Sequence, residues 1–182
     1  QYEPCGIFTT GHFILIAITV ICIAIALKYS VRKSKEEVYK IIRNATIVIC
    51  ILEAIKIIYS IQQNSWKAVD TYLPLYYCSI LIYAGLLSSF GKGKLKRAGD
   101  VCLATGSIIG GIVFILYPST SLPRYPAFHI LSIYSFLFHG TMVYLGILIN
   151  KTNYIDLKIS DVKYFAAVIG AMSIVALIVN KI

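Results

Sequence analysis

Apolar residues fall into six long blocks separated by short polar segments, and within each block they cover every face of a helix rather than one stripe. The blocks run Gly6–Tyr29, Val38–Ile61, Tyr72–Phe90, Ala98–Tyr117, Ala127–Ile149 and Tyr164–Val179. Roughly twenty residues of helix cross a bilayer core. Lipid offers no partner to unpaired backbone N–H and C=O groups, so such blocks have to be helical. The pattern predicts an all-α polytopic transmembrane helix bundle with six spans, one membrane domain over residues 1–182. Only Glu3, and no basic segment, precedes the first block, which is also longer than a signal-peptide core. It is expected to be a retained span.

Composition agrees. The chain is 58% hydrophobic and 14% charged, against about half and about a quarter in soluble domains. The net charge of +9 raises nucleic-acid binding, but the basic residues sit in short loops, the pattern of topology signals rather than of a phosphate-tracking groove. No nucleic-acid partner is expected. Lys28, Arg32, Lys33, Lys35, Lys40 and Arg43 flank the first loop; Lys92, Lys94, Lys96 and Arg97 fill the third; Lys151, Lys158 and Lys163 lie in the fifth. The other side has Lys67, Arg124 and Lys181. Thirteen against three puts the first, third and fifth loops in the cytoplasm and the N-terminus outside.

Ser34 and Glu37 in "SKEEVYK" read as a capping box. On the outer side, Trp66, Tyr72, Tyr76, Tyr77 and the proline-rich "YPSTSLPRYP" suit the interface. The "NAT" sequon at 44–46 lies near the cytoplasmic end of a span and is not expected to be glycosylated. Cysteines 5, 22, 50, 78 and 102 form no CxxC pair, so neither a disulfide framework nor a metal site is expected. Gly106 and Gly110 form a GxxxG followed by Gly111, a surface for close helix packing within the chain or for self-association.

Ionisable residues inside spans are costly and face a partner or a cavity. Glu53 and Lys56 share a helix face as i, i+3, either as a structural ion pair or as part of a binding cavity. Asp100 is expected to pair with Lys96 and Arg97. At 1.5 Å rise per residue, Glu53 lies roughly 12 Å below the outer surface, Lys56 8 Å, Tyr76 6 Å, Cys78 9 Å, His129 3 Å and His139 18 Å. These depths point to a polar pocket in the outer half of the membrane. Cys78 reads either as a nucleophile, which needs a base or cation nearby, or as a small buried interface residue. The depth gap of roughly 9 Å between Cys78 and His139 counts against a ready-made dyad.

The motifs "LPLYYCSI" (73–80) and "FLFHG" (136–140), with the glycine-rich fourth span running into "YP" (117–118), resemble the YwaF-like family of bacterial integral membrane proteins. That family is similar to the eukaryotic transmembrane protein 164 group. The resemblance covers about residues 45 to 149 and implies a bacterial plasma membrane location and a further span beyond the sixth. It matches Cys78 and His139 to the family's motif cysteine and histidine; Tyr76 stands where the family usually has histidine. The eukaryotic group's activity implies acyl transfer onto lysophospholipids through a cysteine. On that reading Cys78 and His139 are catalytic, Glu53, Lys56, Tyr76 and His129 bind substrate, the partners are membrane lipids, and no cofactor or metal is implied. The alternatives are a small-solute carrier or binding protein built on the Glu53–Lys56 pair, and a non-catalytic membrane subunit packing through Gly106–Gly111.

Overall fold

The computed structural model describes residues 3–64, 74 and 76–179, helical with no strand among them. In order come α1 (Thr10–Ser30), α2 (Lys35–Asn64), a 3-10 turn (Tyr77–Ser79), α3 (Ile80–Phe90), α4 (Gly93–Ala104), α5 (Gly106–Leu116), α6 (Ile130–Lys151), a second 3-10 turn (Ile159–Asp161) and α7 (Val162–Val179). Four segments are long and apolar enough to cross a membrane: Thr10–Ser30, Gly93–Leu116, Ile130–Lys151 and Ile159–Val179. α2 has the length but carries the Glu53–Lys56 pair, and α3 is short, with 11 residues. The chain is a helical, polytopic integral membrane protein.

Two boundaries depart from the sequence pattern. The third block was expected to turn helical at Tyr72, which lies outside the described residues, as do Trp66 and Lys67. Tyr76 is extended, with φ −75° and ψ 159°, and the helix described in this block begins at the 3-10 turn that follows it. The fourth block is helical already at Gly93, whose φ of +53° lets the chain turn out of α3 at little steric cost. It then breaks at Thr105, with φ −122° and ψ −73°. Two hydrogen bonds compensate for the break. The Ile108 N–H donates to the Thr105 carbonyl at 3.1 Å. The Ala104 carbonyl instead accepts from Asn150 Nδ2 at 2.7 Å, and Asn150 also donates to Gly146 at 2.8 Å.

The chain forms two compact units, one of residues 1–38 and 104–154, the other of residues 39–103 and 155–182. In the first, α1, α5 and α6 close on Leu15, Ile115, Leu122, Phe136 and Val143. A Cβ on Gly111 would meet Val143 Cγ2 at 2.6 Å and the His139 carbonyl at 2.7 Å. The Gly111 face of the GxxxG segment is thus occupied by α6, the intramolecular packing that small residues permit. The segment ahead of α1 is pinned by hydrogen bonds from the Cys5 N–H to the Tyr125 carbonyl and from the Gly6 N–H to the Leu122 carbonyl.

In the second unit, α2 and α3 touch where a Cβ on Gly85 would lie 2.5 Å from Thr46 Oγ1. Tyr39 Oη donates to the Ser89 carbonyl at 2.7 Å. Buried Asp100 accepts from Ser88 Oγ at 2.5 Å and from Lys96 at 3.0 Å. Arg97, expected at Asp100, instead grips Asp161, with Nε to Oδ1 at 3.2 Å, and donates to the Asp156 carbonyl.

The expected capping box forms at the start of α2. The Ser34 N–H donates to Glu37 Oε2 at 2.9 Å, and the Glu37 N–H donates to Ser34 Oγ at 3.3 Å. The Ser34 N–H and then the Lys33 ammonium hold the Glu37 carboxyl well below its ordinary 4.5, at about 2. A depressed carboxylate favours the fold above its unfolded pKa and loses that contribution as pH falls through the folded value. The cap is therefore complete above pH 4.5 and weakens toward pH 2. Carbon-detected NMR titration of Glu37 is expected to give a midpoint near 2; a midpoint at 4.5 would mean that the box does not form.

Candidate functional site

Cys78 occupies the 3-10 turn that leads into α3, half-buried. This puts its sulfur at the N-terminal, positive end of a helix, where the Cys78 and Ser79 N–H groups face it. Two contacts hold the turn. The Ser79 N–H donates to the Tyr76 carbonyl at 2.9 Å, and Tyr83 Oη donates to the Pro74 carbonyl at 2.9 Å, tying the proline back onto α3. Tyr76 itself points outward, 58% exposed, as an interfacial tyrosine would.

The charges near Cys78 come from α2. Lys56 Nζ meets Glu53 Oε1 at 2.6 Å, with the Glu53 side chain buried and that of Lys56 30% exposed. Both charges act on the Cys78 thiol, and Glu53 also acts on Tyr83 and Cys50. Cys78, Glu53, Lys56 and Tyr83 therefore form one electrostatic neighbourhood within the second unit. Lys56 and the N–H groups of the turn favour negative charge on the Cys78 sulfur or on an acyl oxygen beside it, and Glu53 opposes it.

His139 belongs to the first unit, at mid-α6. It is buried, its ring stacks on Phe114 with centroids 3.6 Å apart and planes at 7°, and Nδ1 lies 2.7 Å from the Ser135 carbonyl. A carbonyl can only accept, so Nδ1 carries the hydrogen, and in the neutral ring Nε2 carries the basic lone pair. His129 is the N-cap of α6. Its Nδ1 accepts from the Leu131 N–H at 3.2 Å, and its ring stacks on Tyr125 at 4.6 Å.

The structure thus gathers Cys78, Glu53 and Lys56 in one unit and places His129 and His139 in the other. Between α1 and α6 of the first unit runs an apolar groove of about 330 Å³, lined by Leu15, Ile18, Thr19, Phe136, Gly140 and Tyr144 among others. The described residues hold no cluster of three or more metal-ligating side chains.

Sequence reasoning missed His12. It is fully buried at the start of α1, accepting at Nδ1 from the Phe8 N–H at 3.1 Å and reaching the Ile115 carbonyl from Nε2 at 2.9 Å. With both ring nitrogens engaged, it braces the N-terminal turn against the end of α5. The available signal was "TTGH", in which Thr9 is the helix N-cap and its side chain accepts from the His12 N–H. Tyr83 was missed as well, because its partner is a backbone carbonyl on the far side of the turn.

Fold and side chains together define a polytopic membrane protein with a thiol at the head of one apolar helix, an ion pair with a buried carboxylate in the same unit and a buried histidine of fixed tautomer in a membrane span of the other unit. The TMEM164 family matches residues 7–182, nearly the whole chain. The chain belongs to the TMEM164 family. No curated protein and no solved structure matches it.

Proposed function

We propose that the protein is a membrane-embedded enzyme that moves or hydrolyses lipid acyl groups through Cys78. The observation that carries this reading is the setting of Cys78: a half-buried sulfur at the start of α3, with Lys56 and Glu53 acting on it. The sulfur attacks the carbonyl of an acyl ester, a thioester forms, the ester C–O bond breaks, and the alcohol leaves with the thiol's proton. A second lipid hydroxyl or water then attacks the thioester and returns the proton to the sulfur. Lys56 and the turn's N–H groups offset charge on the acyl oxygen, and Glu53 orients Lys56. The motif resemblance supports a functional role for His139, whose Nε2 carries the basic lone pair. The charge distribution supports a site that opens toward the outer leaflet, with basic loops in the cytoplasm.

The test uses the full chain in liposomes with a fluorescent acyl phospholipid, the other four cysteines changed to serine. Acyl transfer or release is expected, with a covalent acyl adduct on Cys78. Cys78→Ala should lose at least about a thousandfold in rate, and His139→Ala about a hundredfold. An unmodified Cys78 with full activity would end the proposal. A second reading, carriage or binding of a small solute, draws on the Glu53–Lys56 pair with its buried carboxylate. It predicts solute uptake that survives Cys78→Ala and fails in Glu53→Gln.

A further inference from the structure

The turn between α3 and α4 divides its four basic residues into two kinds. Lys96 and Arg97 face inward, onto Asp100 and Asp161. Lys92 and Lys94 are exposed and make no ion pair among the described residues. Asp100, the acidic side chain of α4, is already occupied by Ser88 and Lys96 and does not neutralise them. A third cation joins them from another helix. Exposed Arg43 of α2 holds its guanidinium over the ring of Phe90, 5.6 Å from the centroid, and Phe90 is the last residue of α3. Three cations, one on α2 and two at the turn between α3 and α4, thus lie at one end of the second unit.

Two large apolar side chains flank them. Phe90 is 54% exposed and Leu95 60% exposed. They bracket the lysines where the apolar run of α3 ends and that of α4–α5 begins. Gly93, with its positive φ, sets Lys92 and Lys94 on either side of the bend. Cations beside exposed apolar side chains at the end of a membrane helix match the headgroup boundary, where phosphate lies just above hydrocarbon.

We infer that Arg43, Lys92 and Lys94 form a docking site for the phosphate headgroup of an anionic phospholipid, with Phe90 and Leu95 set into the acyl boundary beneath it. Charge complementarity selects an anion. The two exposed apolar side chains at a span end select a lipid in the surrounding bilayer over a free anion or an acidic peptide. The site is independent of the thiol chemistry proposed above and stands or falls separately.

The full chain is reconstituted in phosphatidylcholine vesicles carrying brominated phosphatidylglycerol or brominated phosphatidylcholine. The reporter is a single tryptophan, made by Trp66→Phe with Phe90→Trp, which keeps an aromatic face under Arg43. Quenching by the two lipids gives their relative affinity at the site. Each basic residue at a membrane surface contributes roughly a fivefold preference. The reporter protein is expected to favour the anionic lipid by about tenfold or more, with the preference shrinking at high salt. Lys92→Gln with Lys94→Gln and Arg43→Gln should bring the ratio close to one. Lys151→Gln, a basic residue of the other unit, should leave it unchanged. Because all three side chains are exposed, helicity by circular dichroism should match that of the parent. Equal quenching by the two lipids in the reporter protein would overturn the site. So would a preference that persists in the triple variant, or one that Lys151→Gln removes equally well, since either makes it a property of total charge. Loss of the preference on adding inorganic phosphate, at an ionic strength matched with chloride, would reassign the site to a free anion and overturn the lipid assignment.

Discussion

Replacing Glu53 by leucine is expected to cost about 3 kcal/mol of stability, and adding Lys56→Met in the same chain to restore most of it. The carboxylate is nearly buried and lies 2.6 Å from the ammonium. Removing it leaves a cation within a membrane helix without its counter-charge, the costly half of breaking a buried pair. Lys56 is 30% exposed on its side chain, so it can extend toward the interface, which places the loss at the lower end of the usual range. Removing both partners exchanges a paired charge for packed hydrocarbon, which is close to neutral. The measurement is reversible unfolding of the full chain in bicelles, with acyl-transfer activity recorded on the same samples. A stable but inactive double variant assigns the pair to chemistry. A stable and active double variant makes it a structural clasp. A single variant as stable as the parent would refute the pairing energy itself.

Gly111→Ala is expected to be destabilising by about 1–3 kcal/mol, the usual penalty of overpacking. The new Cβ would lie 2.6 Å from Val143 Cγ2 and 2.7 Å from the His139 carbonyl, so relief requires moving α6 backbone and not merely a side chain. The same change at Gly170 of α7, where nothing lies within 4 Å, should be stabilising by up to about 1 kcal/mol through helix propensity. Opposite signs for one chemical substitution at two helical glycines would establish close packing at Gly111. Two shifts of the same sign would mean that α5 and α6 are not packed as described. Because the clash falls on the residue that carries the buried imidazole, Gly111→Ala should also perturb the His139 ring resonances, and Gly170→Ala should not.

The features legible in the sequence were the local ones. Glu53 and Lys56 pair because i, i+3 fixes their geometry on any helix, and Ser34 with Glu37 forms a cap for the same reason. The helical blocks were readable because lipid allows little else. Long-range contacts were hidden. His12 is explained by the Ile115 carbonyl, which only tertiary packing brings to it. Arg97 has Asp100 close by in sequence, yet its planar fork is matched by Asp161 at the far end of the chain, leaving Asp100 to Lys96 and Ser88. The apolar pattern predicts a span from Tyr72, whereas Tyr76 is extended and the 3-10 turn starts only at Tyr77, which sets the Cys78 sulfur at a helix N-terminus. Depth estimates along ideal helices could not anticipate this, nor that His129 would spend its ring nitrogen on a helix cap.

The contrast between α7 and α2 bears on how the protein is made. α7 has no buried residue and no charge from Tyr164 to Val179, so a translocating ribosome delivers a segment that partitions into lipid on its own hydropathy. α2 carries Arg43, Glu53 and Lys56 along its length, and a lone helix so charged is a poor client for lateral release into the bilayer. Its insertion has to wait for company. Truncation after residue 64 is therefore expected to leave α2 extractable by alkaline carbonate, and extension through α3 and α4 to fix it in the membrane. On this expectation the region around the candidate thiol is settled by helices that arrive after the one that holds its charges.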